Sequence, residues 1–445
     1  MNIKTNLKKG YKRKIIKTLH VTGLLLFRDM RMMVEDTEKI EMYHRSAHEL
    51  EEKGYVKICR SNGEKYLRLS MYKAHEAEYR EYFGDAYVDY YLRTYDNLHM
   101  FQETTKNRSK LSSEEKEREW DKRTDNNKKL AEANTRLIMY LGGYIYVDRL
   151  PLWRNKTIEG IENTESTEST ESDKEPLSES ENIAHFQIGD NIFYNNLEVK
   201  NVRARMENLR PSRTNGLLVS DGGDFLVYNT QNRLLQWATG PENTYSYYVK
   251  MLMDKWSDRE RKEYVSSFHV QKKPMIILGK QEALLRLCTE KNIRVQLAKG
   301  KPLLSTENVD HSIFPVLSDK NGIPVLHFLT SPQLNIRSET LLKELNPEFT
   351  KDKYEKKFRS GYIEKNGEQI SVLNFMIPDI AKLSAFIKHE LTAIPTDYEY
   401  LAEIYCIMEY EWYVNEVIEY YKKEFGIQSV ASECIRVYVI NKELL

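Results

Sequence analysis

The stretch AHELEEKGYVKICRSNGEKYLRLS, residues 47–70, decides how the N-terminal part of this chain is read. Its first residues continue an amphipathic helix, with Ala47 and Leu50 on the inward face. Gly54 stands where a helix ends in the left-handed conformation. "YVKIC" and "KYLRL" then alternate in the two-residue period of a strand, and "RSNGE" joins them with an Asn-Gly turn suited to a tight hairpin. The stretch therefore predicts a helix, a sharp exit and a two-stranded hairpin.

Upstream, "YKRKIIKTLH" (11–20) puts Ile15, Ile16 and Leu19 on one face and basic residues on the other. A second apolar segment, "GLLLFRDMRMM", follows Thr22. The third helix is expected to begin at Asp36-Thr37, where either residue can cap and Glu38 and Glu41 suit the first turn. It places Ile40, Ala47 and Leu50 inward and Tyr43, His44, Arg45 and His48 outward. Three helices and a two-stranded wing make the helix-turn-helix variant whose third helix enters the major groove of DNA. The residues expected to touch duplex DNA are Lys12, Arg13, Lys14 and Lys17 of the basic N-terminal arm and Tyr43, His44, Arg45 and His48 of the third helix. Lys57, Arg60, Asn62, Lys65 and Arg68 of the hairpin complete the set. The acids Glu38, Glu41, Glu49, Glu51 and Glu52 on the same helix oppose that reading. His44 and His48 have the spacing of a metal pair but no third ligand nearby, so no metal is expected.

Acidic and basic residues balance at 67 each over 445 residues, so only local segregation of charge can attract a polyanion. Residues 1–20 show it, with seven cations and no acid. Cys59, Cys288, Cys406 and Cys434 lie far apart and form no CxxC pair, which predicts a reducing, cytoplasmic setting without zinc or disulfides. No apolar run reaches the ~20 residues of a membrane helix, and "GLLLF" is too short for a signal peptide.

The expected organisation is a winged helix over 1–71, a helical segment over 72–156, a disordered acidic linker over 157–183 and an α/β domain with a mixed sheet over 184–445. The linker repeats Thr-Glu-Ser and is almost free of large apolar residues. Tyrosines at 79, 82, 87, 90, 91 and 95 line one helix and read as packing. The charged stretch 104–129 is expected to separate two helices. Beyond the linker, "NGLLVSDGGDFLVYN" (215–229) reads as a hairpin, "KPMIILG" and "QISVLNFM" as strands followed by helices, "IPVLHFLTS" (323–331) as a buried strand, and "CIRVYVI" (434–440) as a closing strand. Asp379 after Pro378 reads as a helix cap. The stripe Trp412, Tyr413, Val417 and Tyr420 reads as core or a homo-oligomer face.

"HELEEKGYVKICRSNGEKYLRLS" resembles the end of the recognition helix, the Gly junction and the wing of bacterial winged-helix proteins, over about sixty residues. With "LRPSRTNGLLVSDGGDFLVYNTQNRLLQWATGPENTYSYYVKML" (209–252) behind it, the chain resembles the replication-relaxation proteins of bacterial plasmids and conjugative elements. That resemblance implies a winged helix coupled to a domain related to the PD-(D/E)XK nucleases, in which two carboxylates hold Mg²⁺. This chain has Pro211-Ser212 where Pro-Asp would stand and Tyr228-Asn229 where the acids would stand. The expectation is a degenerate core without catalytic residues or cofactor, in a DNA-binding accessory protein of a mobile element. Two alternatives stay open: a metal-dependent nuclease acting through Asp221, Asp224 and Glu242, and a scaffold whose winged helix contacts only protein.

Overall fold

The computed structural model describes residues 7, 10–34, 37–95, 111–148, 191–196, 214–231, 274–289, 312–352, 358–365, 367–392, 402–426 and 434–445. It is a mixed α/β structure in which helices precede mixed sheets. The linker, Pro211, Ser212 and Glu242 lie outside the described residues.

Helix α1 (Gly10–Thr22) leads into a two-residue strand β1 (Leu25–Leu26) and a 3-10 turn, Arg28–Met33, so the second apolar segment is not the α-helix its composition predicted. After a 3-10 turn at Thr37–Lys39, α2 (Ile40–Glu52) begins later than Asp36-Thr37 implied, with no side-chain cap. Strands β2 (Val56–Ser61) and β3 (Glu64–Leu69) form the hairpin, and β1 adds to the β3 side. Gly54 and the turn pair Asn62-Gly63 all have positive φ, as the turn chemistry predicted. Ile15, Ile16, Leu19, Ala47, Leu50 and Leu67 are fully buried and join the helices to one face of this small sheet.

Helices α3 (Tyr72–Phe83) and α4 (Asp85–Tyr95) close over α1, and their tyrosines pack inward: Tyr79, Tyr90 and Tyr95 are buried. Helix α5 (Ser113–Leu141) runs through much of the charged stretch that was expected to be a separator. Glu, Lys and Arg propagate a helix well. A Ser112/Glu115 capping box starts it, and Arg123–Glu119 and Lys129–Asp125 pairs brace it at i,i+4. Its apolar second half contacts α1, β1 and the first large sheet.

That sheet has the order β4 (Ile192–Asn195), β5 (Gly216–Ser220), β6 (Gly223–Gln231), β7 (Met275–Gly279), β8 (Ile313–Leu317). The first three strands are antiparallel and the last three parallel, with α6 (Gln281–Thr289) between β7 and β8. Residues 322–329 form helix α7 (Gly322–Leu329), not the expected strand. A short apolar run does not by itself distinguish a buried helix from a strand. Helix α8 (Leu334–Leu345) then opens a second sheet, β9 (Phe349–Lys351), β10 (Gly361–Lys365), β11 (Glu368–Phe375), β12 (Ala402–Ile407), β13 (Ile435–Ile440), with α9 (Ile380–Thr392) and α10 (Glu411–Phe425) in its crossovers.

The second sheet repeats the first in order and strand direction. The hairpins also agree in register. Gly216 pairs with Val227 and Ser220 with Gly223; Gly361 pairs with Val372 and Lys365 with Glu368. Helices α6, α9 and α10 pack together between the two sheets, where the Tyr413 hydroxyl donates to Leu284 O (2.8 Å) and that of Tyr421 to Cys288 O (2.7 Å).

Candidate nucleic-acid interface

The basic residues singled out in the sequence divide into two groups. On α1, Lys14 is exposed, whereas Arg13 donates to Leu7 O (3.2 Å) and lies over the Phe83 ring, and Lys17 lies over Tyr87. Lys12 reaches across to Glu49 of α2 in an ion pair. That hydrogen bond, with the charges of Lys12, Lys53 and Arg45, holds the Glu49 carboxyl below its ordinary value. One acid thus sits among three cations at the C-terminal half of α2.

Glu51 is also engaged away from solvent, accepting from the backbone of Ile58 (2.8 Å), which pins the start of the hairpin to the helix end. Glu41 and Glu52 remain exposed on α2. Tyr43, expected outward, is 1 % exposed; its ring meets Tyr11 edge-on and its hydroxyl donates to Met33 O. Tyr43 stands four residues before Ala47 and seven before Leu50, so in a helix it shares their core stripe, and that spacing corrects the outward expectation. His44 is half-buried against Phe27, while Arg45 and His48 are exposed.

On the hairpin, Arg60 stands directly opposite Lys65, and Lys57 directly opposite Arg68. Successive side chains alternate between faces, so the two pairs lie on opposite sides of the hairpin. The Arg60/Lys65 side is the one that meets α2: the Lys65 ammonium is 3.2 Å from His48 Nε2 and 4.1 Å from the Phe27 ring centre. The hairpin turn is not free. Asn62 donates through its amide to Arg123 O and Asn127 Oδ1 of α5, both at 2.9 Å. Asn62, expected to face DNA, instead directs its amide at α5, where Arg123 O and Asn127 Oδ1 supply the acceptors.

Three participants were missed in the sequence. Lys53 lies just before Gly54 and is not among the expected contacts. Phe27 and Arg28 belonged to an apolar segment whose helical reading hid their role. Arg28 donates from Nη1 to Glu64 at the hairpin turn and from Nη2 to Gln231 Oε1 at the end of β6 (2.8 Å). Its neighbour Asp29 is buried and accepts from Asn134 of α5 (2.9 Å). Burial pushes the Asp29 carboxyl up, against the opposing pull of Asn134 and Arg28.

At the position where the nuclease resemblance places an acid, Asn229 is buried and its amide donates to Asn134 Oδ1 (2.8 Å), Thr135 Oγ1 (3.1 Å) and Ala131 O (3.3 Å). Asp221 and Asp224 flank the β5–β6 turn, and Asp379 accepts from the backbone of Ile313 and Ala381, as a cap does. No group of three or more His, Cys, Asp or Glu able to hold a metal occurs among the described residues, and no helix among them is long and apolar enough to cross a membrane. No family model, curated protein or solved structure matches this chain significantly.

Proposed function

We propose that residues 10–69 are a winged helix-turn-helix unit that binds duplex DNA, in a protein whose α/β part does no catalysis. The order helix, short strand, turn, helix, hairpin, with β1 beside β3, supports the first half of this reading. The observation that carries it is the Arg60/Lys65 pair. Like charges directly opposite on a hairpin are destabilising, and this pair stands beside His48 on the α2 side, with Arg45 and Lys53 towards the same end of α2 and Lys12 reaching Glu49 there from α1. A phosphate backbone relieves that repulsion, so the arrangement fits an anionic partner. The contact face is the C-terminal half of α2 with the Arg60/Lys65 side of the hairpin; Tyr43 and Asn62 have no part in it.

The absence of catalysis rests on Asn229. If the first sheet is a PD-(D/E)XK-like core, its acid position holds an amide whose donors are committed to α5. Control of replication, transcription or transfer of a mobile element is the role that the family resemblance adds, and cytoplasmic placement goes with it. The scaffold alternative draws on one observation, the docking of the hairpin turn onto α5 through Asn62.

Binding of the intact protein to random duplex DNA across a salt series, with and without Mg²⁺, tests these readings. The expected result is binding that weakens steeply with salt and leaves the DNA intact. Mg²⁺-dependent cleavage refutes the silent core, and no binding at low salt moves the unit to the scaffold class.

A further inference from the structure

We infer that the two sheets are copies of one duplicated unit, and that the first copy has been altered at two positions to seat the helix–hairpin unit, with Arg28 tying the hairpin turn to the sheet. The equivalence reaches individual hydrogen bonds. Residues 214–231 and 359–376 align without a gap, matching Gly216, Gly222, Val227 and Asn229 to Gly361, Gly367, Val372 and Asn374. A Cβ on Gly216 would lie 2.3 Å from Tyr194 O and against the Phe193 ring; on Gly361 it would lie 2.3 Å from Thr350 O and against the Phe349 ring.

Asn374 repeats three of the roles of Asn229. The backbone NH of Asn229 donates to Asn215 Oδ1 and that of Asn374 to Ser360 Oγ, both at 2.9 Å. Each Asn Oδ1 accepts from the NH two residues on, Gln231 (2.9 Å) or Met376 (3.2 Å). Each Asn amide donates to the helix that precedes its sheet, Asn134 of α5 or Ser338 of α8. Leu130, Leu137 and Ile138 of α5 then fall on Leu334, Leu341 and Leu342 of α8, all buried.

The copies differ where the helix–hairpin unit touches the first. Asn134 stands where the second copy has Ser338, and it adds a donor to Asp29. Gln231 stands where the second copy has Met376, and it accepts from Arg28. Gln231 is held at φ +49°, and its amide nitrogen has no partner among the described residues. A non-glycine residue held at positive φ is a cost that persists where something else is gained. The gain is the Arg28 fork, which joins Gln231 to Glu64 beside the hairpin turn. The position of the hairpin is thereby set from the end of β6, and the unit is seated whether or not it binds DNA.

The test gives the first copy the residues of the second, Asn134→Ser with Gln231→Met, in the full chain. Hydrogen exchange is read at the hairpin amides and at the Phe27 NH, which donates to Lys65 O. The mirror change, Ser338→Asn with Met376→Gln, is the control. The expected result is exchange at Phe27 and residues 61–65 faster by about tenfold, with residues 361–375 unaffected and the mirror protein unchanged at the hairpin. Unchanged hairpin exchange in the first protein overturns the seating. Because the second copy accommodates Ser and Met at these positions, the altered first copy is expected to fold. Arg28→Met, outside both copies, gives the same readout without touching either. None of these measurements involves nucleic acid, so a failed DNA titration leaves the inference standing and a failed exchange experiment leaves the DNA reading standing.

Discussion

His20 makes the helical part of this protein sensitive to mild acid. The side chain is fully buried on α1, and Nδ1 faces Ile16 O at 2.8 Å, so the neutral ring carries its proton there. Tyr72, Tyr79, Phe83 and Tyr91 surround it, with centroids 4.9–5.7 Å away, and Nε2 has no partner among the described residues. Burial holds its pKa at about 4, against 6.5 when unfolded, only partly opposed by the Ile16 hydrogen bond. Above the unfolded value both states are neutral and stability is full. Between the two values the unfolded chain binds a proton that the folded chain refuses, so stability falls as pH falls, by about 1.4 kcal/mol per pH unit. At pH 4.5 the accumulated loss is about 2.5 kcal/mol. His20→Asn keeps an amide donor for Ile16 O and removes the titration. Native-state exchange of α1 amides, corrected for intrinsic rate, should show the wild type losing about 2.5 kcal/mol more than the variant between pH 7.5 and pH 4.5. The variant is less stable at every pH because it underfills the aromatic box, so only the difference in slope is diagnostic. Parallel pH profiles would refute the reasoning.

Arg60→Ala and Lys65→Ala should each lower the slope of log affinity against log salt for duplex DNA by about 0.9, measured by fluorescence anisotropy, while leaving the free hairpin no less stable. Gly216→Ala and Gly361→Ala should each cost about 2 kcal/mol or more in denaturant melts, because the added methyl meets a backbone carbonyl of the neighbouring strand. Asn229→Asp sets a carboxylate against Asn134 Oδ1 and Ala131 O; it should destabilise by about 3 kcal/mol and yield no Mg²⁺-dependent cleavage in a plasmid-nicking assay.

The elements legible in the sequence were those with a strong local signal. The Asn62-Gly63 and Asp221-Gly222 turns fixed two hairpins, alternation gave β2 and β3, and apolar runs gave β5, β6, β7, β11 and β13 close to where they lie. Signals that depend on tertiary context failed. "IPVLHFL" is apolar enough for a buried strand, yet it is a helix, wedged so that Leu329 O lies where a Cβ on Gly222 would be. The charged start of α5 lacks an apolar stripe, and its helical state rests on propensity, a capping box and ion pairs. At the candidate site, Arg45, His48 and the hairpin cations were legible as exposed charge. The burial of Tyr43 was legible too, since it stands at i, i+4, i+7 with Ala47 and Leu50, whereas the docking of Asn62 depends on a helix more than fifty residues away.

The duplication was hidden for a related reason. Four identities in one eighteen-residue stretch carry little weight as sequence, but the Gly216/Gly361 and Asn229/Asn374 pairs sit where the fold leaves little choice. Gly216 and Gly361 exclude a Cβ, and Gly367 turns at positive φ. Asn229 and Asn374 place one amide among a backbone NH and a helix side chain, a role that neither Asp nor an apolar residue fills. Everything between these points is constrained only to be apolar or polar on the correct face, and it has diverged freely. The same logic locates the functional difference between the copies. Asn134 and Gln231 stand where the second copy has Ser338 and Met376, and beyond the Asn134 bond to Ser318 O their side chains reach Asp29 and Arg28, which follow Phe27 at the edge of the surface proposed to meet DNA.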